Sequence, residues 1–391
     1  MATALEGVRV VDLTQVMAGP FCTMILADLG ADVIKVEPPA GDLSRSMGGE
    51  RLRMLGDDRA PFLALNRNKR SVVLDLKQAG DLRRLLSLVR SADVLVENFR
   101  PGVAARLGIG YGTLSAIQPR LVYASISGFG QTGPYADRPG FDLIAQGMSG
   151  VMSVTGAAGG DPVKCGVPVS DLAAGLYAAT AILAALAARH RTGAGQHVET
   201  SLFEAALGLS VWEATEYFAT GDPPTALGSA HRLSAPYQAF RAADGWLTIA
   251  ALTPAHWERL CTVLARPELA TDARFGSNAD RLANRPALVS ELEHALAGGP
   301  VADWVDRLLA EGVPAGPLHD YARVFADPHT QARHMVETVE HPVEGRVRTL
   351  GFPIKMSATP PAVRRAPPLL GEHTPEVVGA LDHGTEPWDT P

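Results

Sequence analysis

The chain has 391 residues, 46% of them hydrophobic and 20% charged, with a formal net charge of −7. Such a composition suits an ordinary globular protein of two domains, or of one large domain with an insertion, and the acidic balance argues against nucleic acid or an anionic membrane surface as partner. The three cysteines, Cys22, Cys165 and Cys261, lie far apart without metal-ligand spacing, and with no basic-then-apolar leader in MATALEGVRVVDLTQ the expected compartment is the reducing cytoplasm.

In chain order, the apolar run at 8–13 predicts a buried strand. A helix follows from Gly19-Pro20 through Leu29, and 33–37 is a second strand closed by Pro38-Pro39. Strand, helix and strand in this order predict a parallel sheet of Rossmann type. No G-x-G-x-x-G follows the first strand, so nicotinamide or flavin binding is not indicated. The GIGYG at 108–112 has the wrong spacing and follows no strand. Residues 42–61 read as a polar loop. A strand is expected at 71–76, with Arg67, Lys69 and Arg70 just ahead of it. That basic cluster is either a solvated face or a phosphate contact. Residues 79–92 form an amphipathic helix. The strand at 93–97 ends in Asn98-Phe99-Arg100-Pro101-Gly102, where doubly wound sheets place ligands. Another strand is expected at 121–126.

Residues 140–191 hold a glycine-rich segment, then Asp171, then the uncharged apolar run Leu172–Ala188. The run is short and alanine-rich for a membrane span and reads as a core helix. Asp171 has two readings. It is the helix N-cap, or it is a carboxylate placed for nucleophilic chemistry beside a mobile loop. A strand at 196–200 and a helix at 202–219 follow. The Gly/Pro/Ser/Thr-rich segment 220–235 reads as a linker. Beyond it come a hairpin at 236–252 and helices at 255–265, 286–297 and 300–311, a smaller α+β unit. The last part returns to the first domain. The organisation expected is 1–220 as the first segment of a large α/β domain, 221–330 as the small domain, and 331–391 as the return segment.

Six blocks then act together: DLTQVMAGPFCTMILADLGADVIKVE, LNRNKRSVVLDLK, ENFRPG, GFDLIAQGMSG, ARHRTGAGQHVETSLFEA and PPLLGEHT. In this order the chain resembles the class III CoA-transferases, the CaiB/BaiF family, over nearly its full length. Its look is closest to the succinyl-CoA:glutarate type. The resemblance implies an interlocked homodimer, acyl-CoA and a carboxylic acid as substrates, and no permanently bound cofactor. It implies Asp171 as nucleophile, sixteen residues after the threonine of Thr155-Gly156. Asp142 becomes an active-site helper, while Asp161 is a loop residue. The implied CoA contacts are Val16, Met17, Ala18, Leu74, Lys77, Asn98, Phe99, Arg106 and Leu107. A glycine loop at Gly228-Ser-Ala-His231 is nominated for the oxyanions, with a turn cap as the alternative role of His231. Arg45, Lys164 and Arg232 are the expected cations for a distal acyl carboxylate. Met17 and Pro38 depart from the formyl-CoA branch. The same fold hosts α-methylacyl-CoA racemases, but Phe141 and Thr253 stand at their acid/base positions, so racemisation is the weaker alternative. An inactive acyl-CoA-binding homologue is another, and no G-x-S-x-G supports a serine hydrolase.

Overall fold

A computed structural model describes residues 2–53 and 58–388, so residues 54–57 of the expected loop lie outside the described residues. The chain forms two compact units. The first comprises Met1–Val151, Lys164–Thr220 and Pro328–Pro391; the second comprises Met152–Val163 and Gly221–Asp327.

The first unit runs β1 (Arg9–Asp12), α1 (Ala18–Asp28), β2 (Asp32–Glu37), α2 (Ala60–Leu65), β3 (Lys69–Val73), α3 (Ala79–Arg90) and β4 (Val94–Glu97). It continues with α4 (Val103–Arg106), α5 (Tyr111–Ile117), β5 (Val122–Ser127), α6 (Asp142–Met148), α7 (Val169–Thr192), β6 (His197–Ser201), α8 (Leu202–Leu209) and α9 (Val211–Thr220). Ser210 breaks the single helix expected over 202–219 into α8 and α9. The strands form one sheet in the order β3-β2-β1-β4-β5-β6, and every neighbouring pair is parallel. Strands such as β4 and β5 are buried along their whole length, as a sheet covered on both faces requires. The strand order turns between β1 and β4, and the crevice of such a sheet opens there, at the carboxyl ends.

The second unit holds the antiparallel sheet β7 (Tyr237–Arg241), β8 (Trp246–Ala250) and β9 (Ala315–Pro317). Helices α10 (Pro254–Val263), α11 (Asn278–Ala283), α12 (Arg285–Leu296), α13 (Val301–Ala310) and α14 (Tyr321–Ala326) complete it. Phe240, Leu247, Trp257, Leu260, Phe275 and Leu292 belong to its own core. The returning chain adds α15 (Pro328–Ala332), the hairpin β10 (Val336–His341) and β11 (Gly345–Leu350), and α16 (Thr374–Asp382). This segment covers the sheet edge at β3. Ser71 O accepts from His373 N–H at 2.9 Å, and Val73 N–H donates to Thr374 Oγ1 at 2.9 Å. Backbone groups of an edge strand are thereby taken up within the chain.

The basic cluster corrects both readings of it. β3 begins at Lys69, two residues earlier than expected, so the cations enter the fold. Arg67 pairs with Asp28 at 2.7 Å, Lys69 with Asp12 at 3.0 Å and Arg70 with Asp32 at 2.6 Å, and all three cations are buried. They are neither a solvated face nor open to a phosphate.

Helix α7 is the one described helix long and apolar enough to cross a membrane by length and composition. It packs on α1, α8, β5 and β6 and supplies Ala174, Ala178, Ile182 and Ala185 to the core. Burial is one-sided, because Leu176 is 52% and Tyr177 45% exposed. Its contact with α1 depends on Gly175. A Cβ there would stand 2.7 Å from the Ala18 carbonyl oxygen and 2.9 Å from the Phe21 ring. Helix propensity alone favours alanine over glycine by about 1 kcal/mol. The contact reverses that sign: Gly175→Ala should lower stability by about 1–3 kcal/mol, the usual range for overpacking, as read by denaturant unfolding.

Candidate active site

A cleft of about 320 Å³ opens where β1 and β4 end. Gln15–Ala18 after β1 and Asn98–Pro101 after β4 line it, with Ile126–Gly128 at the end of β5 and residues 138–141 before α6. Asp171 and Leu202 complete the wall. The two loops are tied together at the switch point. Gln15 N–H donates to Asn98 Oδ1 at 2.9 Å, and Asn98 Nδ2 donates back to Gln15 O at 2.8 Å. Phe99 is fixed by its N–H, which donates to Glu97 Oε2 at 2.8 Å. Val16 stands in the left-handed region with φ 71°, which is strained for a β-branched residue and costs on the order of 1–3 kcal/mol.

Asp171 is the third residue of α7, and Pro168 is the N-cap position. The N-cap reading of Asp171 is therefore overturned. The capping work falls to Asp142 at the start of α6. Its Oδ1 accepts the Ser170 N–H at 3.0 Å, which satisfies an orphan donor of the first turn of α7. Its Oδ2 accepts from Gln146 Nε2 at 2.7 Å, and Gln146 Oε1 accepts the Cys165 N–H at 2.9 Å. The Asp171 carboxylate accepts no hydrogen bond from the described residues. Burial, and then the nearby Asp142 charge, push its carboxyl up to about 7. The helix N-terminus would act in the other direction, and the loss of water outweighs it.

Of the expected contacts, Val16, Met17, Ala18, Asn98 and Phe99 share this cleft with Asp171. Leu74 does not; it is buried in the core beside β3. Lys77 and Arg106 are exposed and Leu107 half-buried, all outside the cleft lining. Arg45 must be corrected. Its guanidinium forms a bidentate pair with Glu37 at 2.8 and 2.8 Å, meets Asp58 at 2.9 and 2.8 Å, and lies 3.5 Å over the centre of the Phe62 ring. Its donors are spent on the fold, so none is left for a substrate carboxylate. Lys164 is exposed, with its ammonium on the Cys165 carbonyl at 3.1 Å. Arg232 lies in the second unit and donates to the Thr225 carbonyl.

Gly228 and His231 also belong to the second unit. Gly228 takes φ 64°, a conformation suited to glycine, and its N–H donates to Gly156 O at 2.7 Å. The His231 ring stacks on Tyr237 with centroids 4.8 Å apart, and its Nδ1 accepts the Leu233 N–H at 3.1 Å. That bond is the turn-capping role. Asp161 is exposed. Phe141 lines the cleft with no ionisable group, and Thr253 caps α10 by accepting the His256 N–H at 3.1 Å. Neither can exchange a proton at an α-carbon.

Sequence reasoning marked 98–102 as a ligand position without naming Arg100 as a contact, and it missed Arg138 and Gln146. Arg138 lines the cleft with its guanidinium 3.7 Å over the centre of the Tyr135 ring. Its loop follows β5, so the rule that ligands sit at carboxyl ends could have found it. Gln146 stands four residues after Asp142, one helical turn on.

The sequence model for CoA-transferase family III matches residues 5–374. The chain is 45% identical to the acetyl-CoA:oxalate CoA-transferase of Acetobacter aceti, over 94% of this chain and 93% of that one. It is 40% identical to the succinate–glutarate CoA-transferase of Agrobacterium fabrum, over 97% and 96%. A CaiB/BaiF family protein from Brucella suis superposes with a TM-score of 0.88 at 40% identity, covering 98% of this chain and 100% of the other.

The raised Asp171 predicts a cost in stability. The unfolded chain ionises near 3.8 and the folded one near 7. Between those values the unfolded state releases its proton first, so stability falls as pH rises, and above about 7 the loss is complete. Asp171→Asn should therefore raise Tm, by little at pH 4 and by most at pH 8. A constant difference across that range would contradict the assignment.

Proposed function

The chain belongs to CoA-transferase family III, and we propose that it moves coenzyme A from succinyl-CoA, or a similar acyl-CoA, to a dicarboxylic acid through an aspartyl-CoA thioester on Asp171. One observation carries this reading. A half-buried carboxylate without a hydrogen-bond partner among the described residues stands in the cleft between the loops that follow β1 and β4. A carboxylate stripped of water is a better nucleophile than a solvated one.

An Asp171 carboxylate oxygen attacks the thioester carbonyl, the C–S bond breaks, and CoA leaves as thiolate with a mixed anhydride formed. The thiolate attacks the aspartyl carbonyl, and the donor acid leaves as carboxylate. The acceptor carboxylate then attacks the aspartyl-CoA thioester and the sequence runs in reverse. Asp142 holds the first turn of α7 through Ser170 N–H and so fixes the nucleophile's direction. Arg100 and Arg138 supply cations for CoA phosphates.

The dicarboxylate preference draws on the relatives, since oxalate and glutarate are both dicarboxylic acids. With Arg45 committed to Glu37 and Asp58, Lys164 is the expected cation that remains in the unit holding Asp171. A homodimer is supported by apolar side chains left open, with Trp212 63% and Phe218 81% exposed. Uncrosslinked Cys22, Cys165 and Cys261 suit the cytoplasm.

Incubation with succinyl-CoA, hydroxylamine trapping and mass spectrometry test the covalent step. Wild type should carry a hydroxamate on Asp171, and Asp171→Asn should carry none and lose transfer by several orders of magnitude while still binding CoA. Glutarate, succinate and itaconate should exceed butyrate and benzoate in kcat/KM; equal values would overturn the dicarboxylate preference. Because the ionised carboxylate is the reactive form, kcat/KM should rise with pH and level off above about 7. Asp142→Asn removes the like charge and should move that limb to lower pH.

A further inference from the structure

The left-handed Val16 is held by a buried ion pair that the chemistry above does not use. Lys35 on β2 meets Asp42 at 2.8 Å, and both side chains have zero exposure. Asp42 Oδ1 accepts the Val16 N–H at 3.1 Å, and Lys35 Nζ donates to Thr14 O at 2.6 Å. The pair thus grips the loop on both sides of Gln15, while Asn98 grips Gln15 itself. Asp42 is in turn fixed. Its N–H donates to Glu37 Oε2 at 2.9 Å, and its Oδ1 accepts both the Ser44 N–H and the Ser44 hydroxyl at 2.8 Å. Val16, Met17 and Ala18 then form the wall that faces the cleft with Asp171.

We propose that Lys35 and Asp42 are positioning residues for acyl transfer: they hold Val16 left-handed and so keep the Val16–Ala18 backbone in register with Asp171. This rests on the CoA-transfer reading of the cleft. A purely structural role is the competing account, and it fits less well. Taking two charges out of water is expensive, and apolar residues of similar volume serve a fold as well or better. Apolar residues cannot accept the Val16 N–H or donate to the Thr14 carbonyl. Side chains that do both on either side of one strained residue match a device that stores strain at a working site.

The decisive variant is Lys35→Met/Asp42→Leu, which removes both charges and both grips while keeping volume. Tm should fall, because Asp12 loses one of its two lysines and the Thr14 carbonyl and Val16 N–H lose their partners, so activity is read on the folded fraction. The kcat should fall about 100-fold, as for a displacement of about 1 Å at a reacting centre, with the acyl-CoA KM changed less than about threefold. A crystal structure of the variant should show Val16 outside the left-handed region. A kcat within about threefold of wild type, or Val16 still at positive φ, overturns the proposal. If that variant does not fold, Asp42→Asn serves. It should lose about tenfold in kcat, and adding Val16→Gly should restore part of the loss, because glycine adopts the conformation unaided. An Asp42→Asn enzyme with wild-type kcat overturns the proposal. Should the wild type transfer no CoA at all, the reading of the cleft fails. The grip is then still decided by the conformation of Val16 in wild type and variant.

Discussion

Charges without water are gathered on β1, β2 and the start of β3, and the rest of the first unit is arranged around their pairing. Burial alone would raise Asp12. Lys69 and Lys35, with the Thr14 and Thr23 hydroxyls, outweigh it and hold Asp12 at about 2. Burial pulls Lys69 down to about 8, although Asp12 stands 3.0 Å away. Lys35 is passed on to Asp42, and Glu37 to Arg45, which also holds Asp58. An unpaired charge at this depth would cost several kcal/mol, so each partner fixes the place of the next. The loop after β1 is attached to that chain of pairs by its backbone.

The same network explains why the chain returns to the first unit after the second. Ser71 donates to Glu37 Oε1 at 2.6 Å and accepts the Gly371 N–H at 2.9 Å. Asn68 Oδ1 accepts the N–H groups of Arg364 and Arg365 at 2.6 and 2.8 Å, and its Nδ2 donates to Asp28 at 2.7 Å. The segment with Pro-Pro-Leu-Leu-Gly-Glu-His thus both closes the β3 edge and supplies partners to the buried polar groups. Polar groups this deep are satisfied or they are costly.

Asp171 shows the opposite design. The carboxylates of Asp12, Asp42 and Glu37 are paired with cations, whereas the Asp171 carboxylate has no hydrogen-bond or ion-pair partner among the described residues and feels the charge of Asp142, whose oxygens are already engaged by Ser170 and Gln146. Two acidic groups share a small volume, and the environments split their tasks. One caps and aligns a helix; the other is left poorly solvated and basic. Such a split is a common mark of catalytic sites.

The linear sequence by itself determined the alternation of strands and helices, because buried parallel strands are continuous apolar runs and Gly or Pro marks their ends. It also carried the six blocks that identify the family, and with them Asp171 and the Val16–Ala18 and Asn98-Phe99 loops at the strand ends where a crevice must open. Tertiary structure decided the fate of the charges. Arg67, Lys69, Arg70 and Arg45 read as surface or substrate cations in one dimension. Whether a cation is spent depends on carboxylates such as Asp28, Asp12, Asp32 and Glu37, at sequence separations that no local pattern reveals. The N-cap of α7 was likewise undecidable locally, since the carboxylate that caps it comes from α6, 28 residues before Ser170. A charge is assigned its role by its partner, and partners meet only when the chain has folded.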